Sequence, residues 1–262
     1  MKIDWGFPWD STNLTNESKM EGQSLYIITG TSKGLGKALK DLLIKSPNTK
    51  VVGISRTSIR AESNFTPLQI DLADSGSLIN SLQEIFPSGN FNKVVLIHNA
   101  GWIGEIAHNG DISPKAIQKI HSVNVIAPAI LMNAFMKKYK NNKGVKLVIN
   151  VSSGAAVKVV DGWSGYSSSK AALNQMTLIA QRESDLKNMG FKLFALSPGI
   201  IDTPMQESIR SSSEDAFSSL SKFISLKENG GLSTAEEISE KVRHLIDNPL
   251  DFEEVLQDVR DF

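Results

Sequence analysis

The 262-residue chain has no cysteine, which excludes disulfide bonds, thiolate nucleophiles and zinc–thiolate sites. It carries no net charge, because 28 basic residues balance 28 acidic ones, and it has no long basic run. Neither nucleic acid nor an anionic membrane is therefore expected as a partner. No apolar run approaches the ~18 to 20 residues of a membrane-spanning helix. The four histidines lack the spacing of metal ligands, so we predict no metal site.

Residues 1–24 differ from the rest of the chain. They show neither a helical nor a strand period and lack the apolar core of a signal peptide. We interpret them as an N-terminal extension ahead of one domain, residues 25–262. The absence of cysteine fits a protein of the reducing cytoplasm.

Short apolar runs alternate with helical patterns along the domain. This alternation predicts a parallel, doubly wound β-sheet of the Rossmann type with helices on both faces, a three-layer α/β/α fold. Residues 113–139 are predicted to form two helices, or one helix bent at Pro128. The predicted strands are 25–29, 51–54, 67–70, 93–97, 145–151, 191–196 and one near 254–256.

A glycine-rich turn follows the first predicted strand. Gly30, Gly34 and Gly36 precede a helical pattern, so backbone N–H groups can approach a phosphate whose charge the helix dipole favours. The spacing is not G-x-G-x-x-G, and a plain turn is the alternative. The position between a first strand and a helix favours a dinucleotide site.

Residues after the next two strands indicate which dinucleotide binds. An acidic residue after the second strand would bind the ribose 2′-hydroxyl, but Arg56 stands there, and arginine accommodates a 2′-phosphate. Lys33 adds a second positive charge. We predict NADPH rather than NADH, the alternative being that both cations are solvated. Asp71 follows the third strand and either accepts a hydrogen bond from adenine or caps the next helix.

A hydroxyl, a phenol and an ammonium are predicted to meet beyond the fifth strand. Ser153 follows that strand, and Tyr166 and Lys170 lie one helical turn apart. A nearby ammonium lowers a phenol pKa from ~10, which suits proton transfer to a carbonyl oxygen that Ser153 polarises. Asn124, on an apolar helix face, is predicted to bond a carbonyl or to hold a water for a proton relay.

Two further side chains are assigned ordinary roles. Tyr139 and Lys143 repeat the Tyr-x-x-x-Lys spacing, but no serine at a strand end accompanies them, and we predict a surface position for Tyr139. His98 is predicted to be packed or bonded to backbone rather than to act as an acid or a ligand.

Residues 206–231, rich in serine and charge, are predicted to form a lid or substrate-binding segment.

These motifs, in this order, resemble the short-chain dehydrogenase/reductase family. Asn99-Ala100-Gly101 and Pro198-Gly199 complete the resemblance, and finer features such as 162–166 and 202–206 resemble its sepiapterin reductase branch, including the benzil reductases that form (S)-benzoin. The resemblance implies a catalytic tetrad of Asn124, Ser153, Tyr166 and Lys170. It implies that Ser153, Trp163, Tyr166 and Asp258 contact the substrate. It also implies NADP(H) contacts at Gly30, Ser32, Lys33, Gly34, Leu35, Arg56, Asp71, Leu72, Asn99, Tyr166, Lys170, Ile201 and Thr203.

The predicted function is NADPH-dependent reduction of a ketone or a 1,2-diketone such as benzil. Trp102, Trp163 and the segment 217–226 would form an apolar pocket for a planar substrate. A pterin side-chain ketone or a 3-oxoacyl thioester is the alternative substrate. A nucleotide-binding sensor without turnover is the alternative from another class. A homodimer is expected by resemblance.

Overall fold

Seven parallel strands form the sheet in the computed structural model, which describes residues 22–262. Residues 1–21 of the predicted extension lie outside the described residues. The strand order is β3-β2-β1-β4-β5-β6-β7, which confirms the predicted fold class. The order reverses between β1 and β4, where such a sheet opens a crevice at the carboxyl ends of its strands. The strands are β1 (Gln23–Thr29), β2 (Thr49–Ser55), β3 (Phe65–Gln69), β4 (Phe91–His98), β5 (Val145–Val151), β6 (Phe191–Ser197) and β7 (Leu256–Asp258).

Helices cover both faces of the sheet. They are α1 (Gly34–Leu43), α2 (Ser75–Asn80), α3 (Leu82–Ile85), α4 (Pro114–His121), α5 (Ala127–Tyr139), α6 (Ser164–Leu186), α7 (Pro204–Arg210), α8 (Leu220–Glu228) and α9 (Ala235–Asp247). Ile28 packs into the core under α1 and α9, whereas Ile27 packs into the core under α2, α3 and α5. Because successive strand side chains face opposite sides, a strand covered on both faces reads as a continuous apolar run. Within residues 22–262, no helix has the length and apolarity to cross a membrane.

A π-helical turn, Ser122–Ile126, joins α4 to α5. The prediction of two helices is confirmed, and Pro128 lies in the first turn of α5, just after the junction. Pro128 has no N–H for the Asn124 carbonyl four residues earlier, which favours the wider turn before it. Asn124 thus lies within a π-helical turn, a feature frequent at functional sites.

The last strand pairs two residues later than predicted. The Ala195 N–H donates to the Val255 carbonyl (2.9 Å), and β7 proper begins at the next residue. Ser197 of β6 is then the register partner of Asp258. This register places Asp258 at the carboxyl edge of the sheet, beside the crevice.

Candidate active site

One cavity of about 580 Å³ runs along the carboxyl edge of the sheet. Ser153, Trp163 and Asp258 line it, whereas Asn124 lies behind its wall. All of the residues predicted to contact the cofactor also line this cavity: Gly30, Ser32, Lys33, Gly34, Leu35, Arg56, Asp71, Leu72, Asn99, Tyr166, Lys170, Ile201 and Thr203. The structure therefore brings the two predicted halves of the site into one space.

The glycine turn after β1 forms a cradle for phosphate. Gly30 and Gly34 have φ values of +80° and +56°, a region that favours glycine. A Cβ on Gly36 would collide with the Gly30 carbonyl oxygen and the Asn99 amide nitrogen. The N-cap of α1, Lys33, makes no side-chain cap bond, which leaves N–H groups of the first turn for a ligand. The turn therefore fits the phosphates of a dinucleotide.

Thr29 and Asn99 join the ends of β1 and β4 at this cradle. The Asn99 amide donates to the Thr29 carbonyl (3.0 Å). The Thr29 hydroxyl accepts from the backbone N–H groups of Asn99 (3.1 Å) and Ala100 (2.9 Å). Sequence reasoning did not assign Thr29 to the site, and only its position before Gly30 signals it. These bonds hold together the ends of β1 and β4, between which the strand order reverses.

Three charged residues line the cavity beyond the carboxyl ends of β1, β2 and β3. Arg56 and Lys33 are exposed and line the cavity. Asp71 accepts from the Ala73 N–H (3.0 Å). The helix that follows is capped by Asp74 instead, which excludes that alternative for Asp71. Asp71 is therefore available to a ligand in the cavity.

Tyr166 and Lys170 are both buried at the centre of the cavity wall. The Lys170 ammonium donates to the Val151 carbonyl (2.7 Å) and lies 5.8 Å from the centroid of the Tyr166 ring. Burial lowers the pKa of Lys170 to about 8. Burial raises the pKa of Tyr166, and the Ser153 hydroxyl opposes that shift. This direction is opposite to the predicted lowering of the phenol pKa, because the loss of solvation on burial outweighs the hydrogen bond of Ser153. At neutral pH the phenol keeps its proton.

Ser153 is positioned by the turn after β5. Its hydroxyl accepts from the Ala155 N–H (3.1 Å) and begins a short 3₁₀ helix, Gly154–Ala156. The neighbouring Ser152 hydroxyl instead donates to Asn174 (2.5 Å). Ser153 is therefore the serine of this pair that interacts with Tyr166.

Asn124 positions backbone behind the cavity wall. Its amide donates to the Trp102 carbonyl (2.9 Å) and the Ser169 hydroxyl (3.0 Å), and its oxygen accepts from the Trp102 N–H (2.9 Å). A Cβ on Gly101 would stand 3.5 Å from the Lys170 nitrogen and 3.7 Å from the Asn124 oxygen. The Asn124 side chain thus takes the first of its predicted alternatives, a bond to a carbonyl, and lies beside Lys170.

Aromatic rings form the wall next to Tyr166. Trp163 stacks on Phe217, with centroids 5.1 Å apart and planes at 15°, and Phe223 packs at 5.5 Å. The Trp163 and Tyr166 rings meet edge to face, with their centroids 5.7 Å apart. Phe217 is fully buried behind Trp163, whereas Phe223 lines the cavity. The segment predicted as a lid thus supplies a packed wall.

Tyr139 and His98 lie outside the cavity. Tyr139 is 3% exposed, its ring contacts Phe135 (5.1 Å), and its hydroxyl donates to the Pro87 carbonyl (2.8 Å). Its predicted surface position is wrong because the end of α5 packs into the core. His98 is buried with its Nδ1 2.5 Å from the Asn150 oxygen, and burial lowers its pKa to about 4. The predicted packed role of His98 is confirmed.

Asp258 is engaged by a neighbour that sequence reasoning missed. Arg260 donates to both carboxylate oxygens, at 2.5 and 2.7 Å. The Arg260 hydrogen bond lowers the pKa of Asp258. Lys119, Lys158 and Lys222 also line the cavity and were missed. They come from separate elements, so no spacing in the sequence links them.

A Rossmann sheet whose crevice carries a phosphate cradle and a Ser–Tyr–Lys group defines a dinucleotide-dependent oxidoreductase. The family model described as short chain dehydrogenase matches residues 24–214. This chain belongs to the short-chain dehydrogenase/reductase family, whose cofactor is a nicotinamide dinucleotide.

Relatives from three organisms illustrate its place in that family. A benzil reductase ((S)-benzoin forming) of Bacillus cereus is 36% identical over 84% of this chain and 93% of the relative. Sepiapterin reductase of Bos taurus is 26% identical over 87% of this chain and 91% of the relative. The crystal structure of the Saccharomyces cerevisiae short-chain dehydrogenase/reductase YIR035C matches with a TM-score of 0.74 at 25% identity, over 90% of this chain and 96% of the other.

Proposed function

We propose that this protein is an NADPH-dependent carbonyl reductase that acts on a ketone or a 1,2-diketone of the benzil type. The observation that carries the proposal is the position of Ser153, Tyr166 and Lys170 beside an aromatic-walled cavity. Trp163 and Phe223 offer ring surface to a planar substrate. The benzil reductase activity named for a 36% identical relative points the same way.

Each polar group has a separate task in this proposal. The bound cofactor supplies the hydride to the carbonyl carbon. Ser153 donates a hydrogen bond to the carbonyl oxygen, and Tyr166 gives that oxygen its proton. Lys170 stabilises the phenolate that remains. Asn124 is a positioning residue, because it holds the Trp102 backbone beside Lys170.

The test is NADPH oxidation with a panel of benzil, a pterin bearing a side-chain ketone and a 3-oxoacyl thioester. We expect benzil to be reduced with the highest kcat/KM. A higher kcat/KM for the pterin or the thioester would change the proposed substrate class, but it would leave the proposed carbonyl reduction unchanged. Cofactor binding without oxidation on any carbonyl would instead support a nucleotide-binding sensor.

Arg56 is proposed to bind the 2′-phosphate of NADPH together with Lys33. We expect Arg56→Ala to raise the KM for NADPH by about tenfold or more, since a hydrogen bond to a charged group contributes ~1.5 to 3 kcal/mol. The KM for NADH should change little. Arg60→Ala, an exposed arginine in the same loop, is the matched control. An equal rise for both cofactors would contradict this assignment.

We further propose that the protein is a cytoplasmic homodimer. Ile117 on α4 and Ile179 on the 23-residue α6 are 47% and 49% exposed, and exposed apolar side chains on these helices would be covered at a subunit interface. Light scattering that gives the mass of one chain would refute the dimer.

A further inference from the structure

Positive charge predominates on the lining of the cavity. Its cationic side chains are Lys33, Arg56, Lys119, Lys158, Lys170, Lys222 and Arg260, and its carboxylates are Asp71 and Asp258. Lys33 and Arg56 are assigned to the cofactor, and Lys170 to the reaction. The other four cations, Lys119, Lys158, Lys222 and Arg260, have no task in the proposed function. We call these four residues the rim cations.

The rim cations come from four elements around the aromatic half of the cavity. The Lys119 nitrogen lies 4.8 Å over the Trp102 ring. A Cβ atom added to Gly154, the residue after Ser153, would stand 4.0 Å from the Lys158 nitrogen. Lys222, on α8, precedes Phe223, which packs on Trp163. All four charges line the same cavity as Ser153, Tyr166 and the aromatic rings.

This space is separate from the proposed 2′-phosphate site. Arg56 follows β2, and Ser153 follows β5, three strands away in the sheet. At ~4.8 Å between neighbouring strands, the two strand ends are about 14 Å apart. The pyrophosphate at the glycine cradle would lie at the end of β1, two strands from β5. Neither the pyrophosphate nor the 2′-phosphate at Arg56 therefore lies beside Ser153 and the rim cations.

The described part of the chain does not neutralise these charges. Lys119, Lys158 and Lys222 form no salt bridge with a carboxylate of residues 22–262. Asp258 is the one carboxylate that lines this half of the cavity, and Arg260 binds both its oxygens. Four cations and one carboxylate leave a net charge of +3, which raises the local concentration of anions.

We propose that the substrate is an oxo acid, with an apolar or aromatic body against Trp163 and a carboxylate held by the rim cations. The inference rests on the proposed carbonyl reduction and names its substrate class. At the other end of the substrate, hydride adds to the carbonyl carbon and Tyr166 protonates the oxygen, so the product is a hydroxy acid. A neutral pterin that would hydrogen-bond to the Asp258 carboxylate is disfavoured, because Arg260 already donates to both of its oxygens.

The test compares two substrates that differ in one charge: benzil with a carboxylate on one ring, and its methyl ester. We expect the acid to have a kcat/KM about tenfold higher than the ester, mainly through a lower KM. The difference is modest because each exposed ion pair contributes little, and it arises from several such pairs acting together. The preference should fall as salt rises, since ions screen exposed charges. Lys158→Gln combined with Lys222→Gln should bring the ratio of acid to ester close to one.

Lys45→Gln is the matched control, because Lys45 is exposed just after the far end of α1. It should keep the ratio of the wild type. An ester reduced as well as the acid by the wild type would overturn the oxo-acid inference and leave carbonyl reduction standing. A preference for the acid that persists in the double variant Lys158→Gln/Lys222→Gln would also overturn the oxo-acid inference and leave carbonyl reduction standing. Failure to reduce the acid, the ester and benzil alike would count against the proposed function itself.

Discussion

Replacing Tyr166 by phenylalanine is expected to lower kcat for carbonyl reduction by about a thousandfold, within the range for a general acid. The substitution removes one oxygen and keeps the ring that meets Trp163 at 5.7 Å. The alkoxide that forms as hydride arrives then has no phenol to protonate it. Steady-state NADPH oxidation measures the rate, and fluorescence titration should show that the cofactor still binds.

The chain supplies its own control for this substitution. Tyr139 has the same Tyr-x-x-x-Lys spacing to Lys143, but its hydroxyl donates to the Pro87 carbonyl in the core. Tyr139→Phe should keep the rate and lower the free energy of unfolding by ~1 kcal/mol, the usual net contribution of one hydrogen bond. Comparable rates for Tyr166→Phe and the wild type would remove Tyr166 as the acid.

Replacing Lys170 by methionine is expected to lower kcat by about a hundredfold. The ammonium lies 5.8 Å from the centroid of the Tyr166 ring. At an effective dielectric constant of about 20, a charge ~6 Å away stabilises a phenolate by ~3 kcal/mol. For the same reason, the wild-type reduction rate should fall as pH rises through about 8, where Lys170 loses its proton.

The same substitution should stabilise the fold. A drop in pKa from 10.5 to about 8 means that burial of the charged lysine costs ~3 kcal/mol. Loss of its bond to the Val151 carbonyl offsets ~1 to 2 kcal/mol of this gain. We expect Lys170→Met to unfold with a free energy about 1 to 2 kcal/mol higher at pH 7, as measured by urea denaturation.

The pH dependence of that gain has a defined sign. The folded state binds the Lys170 proton more weakly than the unfolded state, so wild-type stability rises with pH between about 8 and 10.5. The advantage of Lys170→Met is therefore complete below pH 8 and shrinks above it. A variant less stable than the wild type at pH 7 would show that the ammonium stabilises the fold.

Lys40→Met is the matched control for a buried lysine. Lys40 is 7% exposed but pairs with Asp41 and with Glu62 (3.5 Å). Its carboxylate partners offset the burial of its charge, so methionine should bring no gain in stability. The reduction rate should be that of the wild type, because Lys40 does not line the cavity.

Local sequence patterns determined the fold class and most of the site. Apolar runs, glycine turns and helix spacing depend on neighbouring residues, and they predicted the sheet and the cradle at Gly30 and Gly34. The one-turn spacing of Tyr166 and Lys170 placed both on a single helix face. These features are local because backbone geometry sets them within a few residues.

Tertiary structure alone decided the environment of those groups. Tyr166 and Tyr139 share the Tyr-x-x-x-Lys spacing, but Tyr166 lines the cavity, whereas Tyr139 packs against phenylalanines in the core. The pKa of Tyr166 rises and that of Lys170 falls because burial comes from residues distant in sequence. The rim cations meet only when four separate elements fold together. Solvation and long-range charge depend on the packed arrangement of the whole chain, and a local pattern contains neither.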